Sequence, residues 1–290
     1  MEAKQTVSVL MCVRNVEKYI GNCIKSILDQ TFADFEIVVI DEYDSNDKTR
    51  KIIENFKDER IRYFRNRKWL GIPKSRNLSV KYAKGEYVFF TDGDCVVCKD
   101  WIEQGLKFLK DSDCAGVEGR SYYISEDYVP TFSDHTYERG RGKFMTNNIA
   151  YKKSFVKGAG GFDERYNYLE DRDLAFRILR RGKIEFNPNM IVYVQKETTT
   201  PTSLIKHAPI IKNRVYLFKR FHDKEVVSWR IVEPWDLAKI ICPPLFFASL
   251  FFNKFTTSDD YKLLPFTYPK VILERLELWK ECAKERVFLI

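Results

Sequence analysis

The sequence predicts an α/β protein: a mostly parallel sheet with helices on both faces, followed by a C-terminal helical extension. Three observations carry this. Strand and helix patterns alternate through the first 120 residues or so. The strand segments are nearly unbroken apolar runs, as strands covered on both faces require. The 290 residues are enough for one large domain plus an extension, and 44% hydrophobic and 15% aromatic content belongs to a folded chain.

Taken in order, Thr6–Cys12 (TVSVLMC) reads as a buried strand. Asn15 can cap a following helix whose apolar residues Val16, Tyr19, Ile20, Cys23, Ile24, Ile27 and Leu28 recur at intervals of three and four. Glu36–Ile40 is a second buried strand, and Ser45 or Asn46 can cap a helix carrying Ile52, Ile53 and Phe56. Ile61–Phe64 is a third strand. Pro73 marks a helix start, and that helix ends near Gly85. Tyr87–Thr91 is a fourth strand, Trp101–Leu109 an amphipathic helix and Ala115–Gly119 another strand.

The second half is less regular. Ser121–Met145 reads as a long loop region, the kind that often serves a site. Asn147–Tyr151 looks like a strand, Gly158–Asp163 a turn, and Leu169–Arg181 a helix closed by Gly182. Ile184–Phe186 and Ile191–Val194 are short strands. The character changes near Thr198, so the expected organisation is a catalytic domain over 1–197 and an extension over 198–290.

Seven scattered cysteines, without a secretory leader in the sequence, point to free thiols in a reducing compartment. Cys95 and Cys98 form a C-x-x-C pair, but zinc wants a second pair or nearby histidines, and two small buried residues are the better reading. The net charge of +8 favours anionic partners without choosing among nucleotides, nucleic acid and acidic membrane. No nucleic-acid motif accompanies it, so nucleic acid is not expected as a partner.

In open α/β sheets ligands bind beyond the carboxyl ends of the strands. There this chain places Val13-Arg14-Asn15, Asp41-Glu42 and Asp92-Gly93-Asp94, with Glu170-Asp171 opening a helix further on. Singly these are ordinary turn, cap and helix-start residues. Together, in order, they suit transfer from a nucleotide-diphosphate sugar. A divalent cation bridging the diphosphate would stabilise the charge gained on departure, and Mg²⁺ or Mn²⁺ takes one or two carboxylates plus phosphate oxygens. Gly93 lets the backbone approach the ligand closely. A later carboxylate can take the acceptor's proton, and the helix N-terminus should keep Asp171 ionised for that task.

Three blocks carry a resemblance: Val7 to Thr49, Leu70 to Asp94 (LGIPKSRNLSVKYAKGEYVFFTDGD) and Gly160 to Gly182 (GGFDERYNYLEDRDLAFRILRRG). In sequence and order they resemble a family 2 glycosyltransferase of the GT-A fold, an inverting, nucleotide-sugar-dependent enzyme with a Rossmann-like sheet. The resemblance implies that Val13, Arg14, Asp41, Arg76 and Asp92 bind the nucleotide sugar. It implies that Asp94, with Asp92, holds the metal, and that Asp171 is the catalytic base. Glu170, Gly161, Phe162 and Asn148 would lie on the acceptor side, the acceptor being a glycan or lipid-linked hydroxyl. The chain departs from the family in four places, one of them Asp41-Glu42-Tyr43, where Asp-Asp-Gly is common. Arg14 stands where an aromatic residue usually stacks on the base, and Gln195 stands where a histidine often lies near the metal. The Gln-x-x-Arg-Trp motif of processive polymerases is lacking.

In the extension, Ile205–Lys224 interleaves basic and apolar residues, and Leu237–Phe252 is strongly apolar but broken by Pro243-Pro244. One reading is a surface-lying attachment to the inner face of the membrane, leaving the protein cytoplasmic and peripheral. The other is packing on the catalytic domain or a dimer contact. Lipid-linked acceptors among relatives favour attachment. The rival functions are a sugar nucleotidyltransferase, which usually shows a Gly-rich loop lacking in Met11–Val16, and a non-catalytic sugar or nucleotide-binding module, which would not need Asp171.

Overall fold

The computed structural model describes residues 6–110, 113–124, 138–139, 141–166, 168–195, 205, 212–221 and 258–287. The chain divides into two compact units, one of 1–124 with 137–196 and one of 125–136 with 197–290.

In the first unit, β1 (Val7–Val13) and β2 (Phe35–Asp41) are buried almost throughout. β3 (Ile61–Arg65) lies beyond β2, and β4 (Tyr87–Phe90) on the other side of β1. These four strands run parallel, linked by α1 (Ile20–Leu28), α2 (Thr49–Glu54) and α3 (Ile72–Tyr82). β5 (Cys95–Val97), α4 (Trp101–Leu109), β6 (Cys114–Ile124), β7 (Glu138–Arg139), β8 (Ile149–Lys152), α5 (Lys153–Gly158), α6 (Glu170–Leu179) and β9 (Lys183–Gln195) complete the unit. The strand order is β3-β2-β1-β4-β8-β6-β9-β5, with β7 hydrogen-bonded to β6.

Two apolar layers hold the sheet. Val9 and Met11 of β1 face Ile24 and Ile27 of α1 on one side, in a cluster that includes Phe89 and Trp101. Leu10, between them in sequence, turns the other way into a cluster with Val38, Ile40, Phe90, Val80, Leu174 and Ile178. This is the period-two alternation of a strand covered on both faces. Each such fully buried side chain contributes roughly 1.5–3 kcal/mol.

The expected α/β sheet flanked by helices is present, and it is mixed: β8 enters antiparallel to both β4 and β6, and β5 runs antiparallel to β9. Several local boundaries differ from the sequence reading. α1 begins at Ile20, not after an Asn15 cap. Asn15 has φ +52° and accepts the N–H of Asn46 at 2.8 Å, so it ties two loops together instead. The two short strands expected over 184–194 are one strand, β9, that slips register against β6 between Gly119 and Arg120. β6 continues to Ile124, so 121–124 are strand rather than loop. β5 and α5 carry too few residues to show a period.

In the second unit, α7 (Lys212–Phe221) and α8 (Ser258–Glu285) pack through Val215, Leu278 and Cys282. Tyr216 Oη donates to Glu281, and Lys219 Nζ pairs with Glu285 Oε2 at 2.7 Å. An apolar face of α7 that could have met a membrane is thus covered by α8. No helix among the described residues is long and apolar enough to cross a membrane. The Pro-interrupted run Leu237–Phe252 lies outside the described residues.

Candidate active site

The chain builds β1, β2 and β3 to one side of β1 and then returns to place β4 on the other. Between β1 and β4 the winding reverses, which opens a crevice at the carboxyl ends of the strands. Val13 and Asp41, the last residues of β1 and β2, are register partners there, and Asp92-Gly93-Asp94 follows β4 within two residues.

Asp41 is fully buried. Its Oδ2 accepts the Tyr63 hydroxyl at 2.6 Å, while its Oδ1 is buried without a hydrogen-bond partner. Burial raises the Asp41 pKa against the lowering influence of Tyr63 and Ser45. An unmatched buried acceptor costs roughly 1–3 kcal/mol, so this oxygen is poised to take a donor. Glu42 beside it accepts from Ser75 Oγ and anchors the loop into α3. Arg14 projects outward, with its Nη2 donating to Asp44 Oδ2 at 2.6 Å and its guanidinium 4.9 Å over the Trp69 ring.

Asp92 sits low in the crevice. Its side chain keeps 39% exposure while protein atoms crowd round it, and that desolvation raises its pKa although Arg76 opposes the rise. Gly93 has a different role from the one its sequence suggests. A Cβ there would meet Val13 Cγ1 at 2.9 Å and Val16 Cγ2 at 3.1 Å, so the glycine lets the turn press against β1 rather than against a ligand. Asp94 O accepts the Gln195 N–H at 2.8 Å. With Cys95 opposite Val194, Asp94 and Gln195 are opposed residues of an antiparallel pair, and such residues share a face. Gln195 Oε1 is a buried oxygen without a hydrogen-bond partner.

Among the described residues no three His, Cys, Asp or Glu side chains converge on one metal position. An oxygen-loving cation that keeps most of its ligands as phosphate oxygens needs only one or two carboxylates. Asp94, Asp92 and the unmatched Gln195 amide oxygen fit that demand. Cys95 is buried and Cys98 half-buried, both as free thiols.

Arg76, on α3, links this region to α6. Its Nη1 donates to Glu170, its Nη2 lies 3.6 Å from Asp92 Oδ1, and its guanidinium stands 5.8 Å over the Phe162 ring. Burial alone would weaken its charge, but the Glu170 and Asp92 carboxylates outweigh burial and raise its pKa further. Asp171, one residue on, has its pKa raised to about 7, first by burial and then by the Glu170 charge, with Arg76 and the Arg172 N–H pulling it down. Burial therefore overrides the helix N-terminus, which by itself would hold Asp171 ionised. The preceding Leu169 has φ +69°, a conformation uncommon for a non-glycine residue that is found where surrounding structure imposes it.

The acceptor-side expectations meet mixed results. Gly161 has φ +74°, and a Cβ there would lie 2.6 Å from Asn77 Oδ1. Asn77 clamps the next residue, accepting the Phe162 N–H at 2.7 Å and donating to Phe162 O at 2.9 Å. Phe162 is buried against Phe90, so its ring supports Arg76 rather than facing an open pocket. Glu170 is likewise buried in its pair with Arg76. Asn148 anchors the scaffold. Its Oδ1 accepts Trp101 Nε1 at 2.9 Å, and its Nδ2 donates to Arg120 O and Met190 O, each at 2.9 Å. Its polar atoms are spent stitching β6, β9 and α4, which leaves little for an acceptor.

Sequence reasoning missed Glu118. It is buried in β6 and accepts the successive N–H groups of Gly142 (2.6 Å), Lys143 (2.9 Å) and Phe144. Arg172 Nε, next to Asp171, donates to Lys143 O at 3.3 Å. Glu118 thus pins the segment that borders the start of α6. The available signal is an acid within Ala115–Gly119, whose other residues are apolar or glycine.

The family model described as "Glycosyl transferase family 2" matches residues 8–184. A curated relative from Escherichia coli, UDP-Glc:alpha-D-GlcNAc-diphosphoundecaprenol beta-1,3-glucosyltransferase WfaP, is 28% identical over 191 residues, 64% of this chain and 75% of that one. Among solved structures, residues 1–349 of S. aureus TarS in complex with UDP-GlcNAc superpose with a TM-score of 0.61 at 19% identity, covering 97% of this chain and 92% of that one. The mannosyltransferase PcManGT from Pyrobaculum calidifontis, in complex with GDP-Man and Mn²⁺, gives a TM-score of 0.61 at 17% identity over 98% and 88% of the two chains.

Proposed function

The chain belongs to glycosyl transferase family 2, and from that premise we propose that it is an inverting, metal-dependent glycosyltransferase in which Asp171 is the general base. Val13, Asp41 and Arg14 receive the nucleoside, and Asp92 and Arg76 face the ribose and diphosphate. The observation that carries the reading is the pair of carboxylate ends joined by Arg76: Asp92 after β4 and Glu170-Asp171 at the start of α6. Asp171, at about 7, is matched to taking a proton near neutral pH.

Asp94 and Asp92 would hold a divalent cation, Mn²⁺ or Mg²⁺, which when bound would supply charge that stabilises the departing diphosphate. Gln195 replaces the family's histidine with a neutral oxygen donor suited to the same hard cations. Asp171 removes the proton from the acceptor hydroxyl as that oxygen attacks the anomeric carbon. The nucleoside diphosphate leaves from the opposite face, so the configuration inverts in one step and no enzyme nucleophile is needed. Glu170 keeps Arg76 fixed and lifts the Asp171 pKa.

The acceptor we propose is a lipid-linked glycan met at the inner face of the membrane, with the protein peripheral and cytoplasmic. The WfaP acceptor and the net charge of +8 support this. So do Phe266, Leu273 and Leu276, which lie exposed along one stripe of α8. The test of the whole reading is a panel of nucleotide sugars with and without Mn²⁺, followed by thermal shift, and then NMR of the product. An inverted anomeric centre supports the assignment; retention refutes it.

A further inference from the structure

The residue after Asp171 is a cation. Arg172 gives its backbone N–H to Asp171 Oδ1 at 2.8 Å and its Nε to Lys143 O at 3.3 Å. Among the described residues no carboxylate stands at ion-pair distance from Arg172, Lys143 or Arg141. Arg141 and Lys143 flank Gly142 and are exposed. The backbone that carries them is fixed. Buried Glu118 accepts the N–H groups of Gly142, Lys143 and Phe144 in succession, with Gly142 at φ +82° and Phe144 at φ +53°. The Phe144 ring meets Phe176 of α6 edge-on, centroids 5.8 Å apart. Burial pushes the Tyr151 hydroxyl up, and the Glu118 and Asp171 carboxylates add to the rise, so clamp and base both neighbour that ring.

Burying a carboxylate is costly unless its oxygens are matched. Here the matching is done by backbone N–H groups, so Glu118 holds the segment and its cations stay available for an external anion. The donor's diphosphate does not need them, because Asp92, Asp94 and Arg76 already serve it under the reading above. In a sugar joined through its anomeric carbon to a diphosphate, the phosphates lie one ring away from the hydroxyl that attacks. With that hydroxyl at Asp171, the phosphates come within reach of the next side chain, Arg172. An Arg can take two phosphate oxygens at once, and a Lys adds a point charge. We infer that Arg172 and Lys143, with Arg141 beside them, form a subsite for the acceptor's diphosphate, and that Glu118 is its positioning residue. The inference rests on the lipid-linked acceptor reading and names the part of that acceptor the protein grips.

The test uses the full chain with Mn²⁺ and saturating UDP or GDP, whichever binds, so that the donor site is filled. The probe, followed by calorimetry, is symmetrical dibutyl diphosphate, esterified at both phosphates as the acceptor's linkage is. Butyl glucoside, which keeps a chain but has no phosphate, is the control. The wild type should bind the diphosphate, less tightly as salt is raised, and should not bind the glucoside. Lys143→Ala combined with Arg172→Ala should weaken the diphosphate by roughly 10- to 100-fold, the loss expected for charge-assisted contacts, with nucleotide affinity unchanged. Glu118→Gln keeps both cations but cannot match the same N–H groups, and should also lose diphosphate affinity while holding nucleotide. Should that buried variant fail to fold, the double variant of the two basic side chains decides. Equal diphosphate affinity in wild type and double variant would overturn the subsite and leave the lipid-linked acceptor reading intact. An equal loss of nucleotide affinity would overturn it as part of the donor site. A nucleotide-loaded wild type that binds no diphosphate, or binds the glucoside as well, would overturn the subsite and the acceptor reading together.

Discussion

Replacing Asp171 with Asn should make the protein slower and more stable at once. Burial and the Glu170 charge lift the Asp171 carboxyl from its ordinary 3.8 to about 7. Between those two values the folded chain binds a proton that the unfolded chain has released, so stability falls as pH rises across that window. At 1.36 kcal/mol per unit the full cost is about 4 kcal/mol, reached near pH 7, and water entering the crevice will lower it. Asn is nearly isosteric and uncharged, and its amide oxygen can still accept the Arg172 N–H, which Asp171 Oδ1 does at 2.8 Å. Asp171→Asn should therefore raise Tm by several degrees at pH 7.5, less at pH 6 and hardly at all near pH 4. Turnover should drop by roughly 10²–10⁴-fold with donor affinity nearly constant. The wild-type kcat should fall about tenfold per unit as pH drops below 7, as the base protonates. The paired assay is differential scanning fluorimetry across pH and steady-state kinetics on the same preparations. An Asp171→Asn protein that is active, or destabilised to the same extent at every pH, would refute the reasoning.

Three further outcomes are expected. Asp94→Ala should lose Mn²⁺-linked donor binding, seen as a vanished thermal shift with nucleotide sugar plus metal, while its ligand-free Tm stays close to wild type; full activity in excess EDTA would sink the metal assignment. Asp41→Ala should weaken nucleoside diphosphate affinity by calorimetry more than it slows the bound complex, and Asp41→Asn, which can still accept from Tyr63, should separate base recognition from packing. Unchanged affinity in both would dismiss Asp41 from the base pocket. In flotation with anionic vesicles the protein should rise with the lipid and be released by salt. Recovery independent of vesicles would leave the extension with packing alone.

Much of the site is legible in the chain itself. Strand ends are visible wherever a buried apolar run stops, so Val13, Asp41 and Asp92 stand out. Spacing does not say where each side chain points. Asn148 and Phe162 lie in the right blocks yet are consumed by neighbours distant in sequence, Trp101 and Met190 for one and Asn77 and Phe90 for the other. Glu118 stays hidden because its partners, the N–H groups of 142–144, come together only once β6 and β8 have paired.

By itself, then, the sequence determined what is local: strands buried on both faces, helices with one apolar stripe, and the order of acidic residues at strand ends. Periodicity and composition act over a few residues, and those are the distances at which a sequence can be read directly. Only the tertiary structure decided what depends on residues brought together across the chain. It made the sheet mixed, because the direction of β8 follows from its partners on either side. It turned Gly93 toward Val13, and set Trp69 under Arg14 across 55 residues of sequence. It also moved Asp171 from an ordinary acid to one near 7, since desolvation is a property of everything packed around a group and not of its neighbours in the chain.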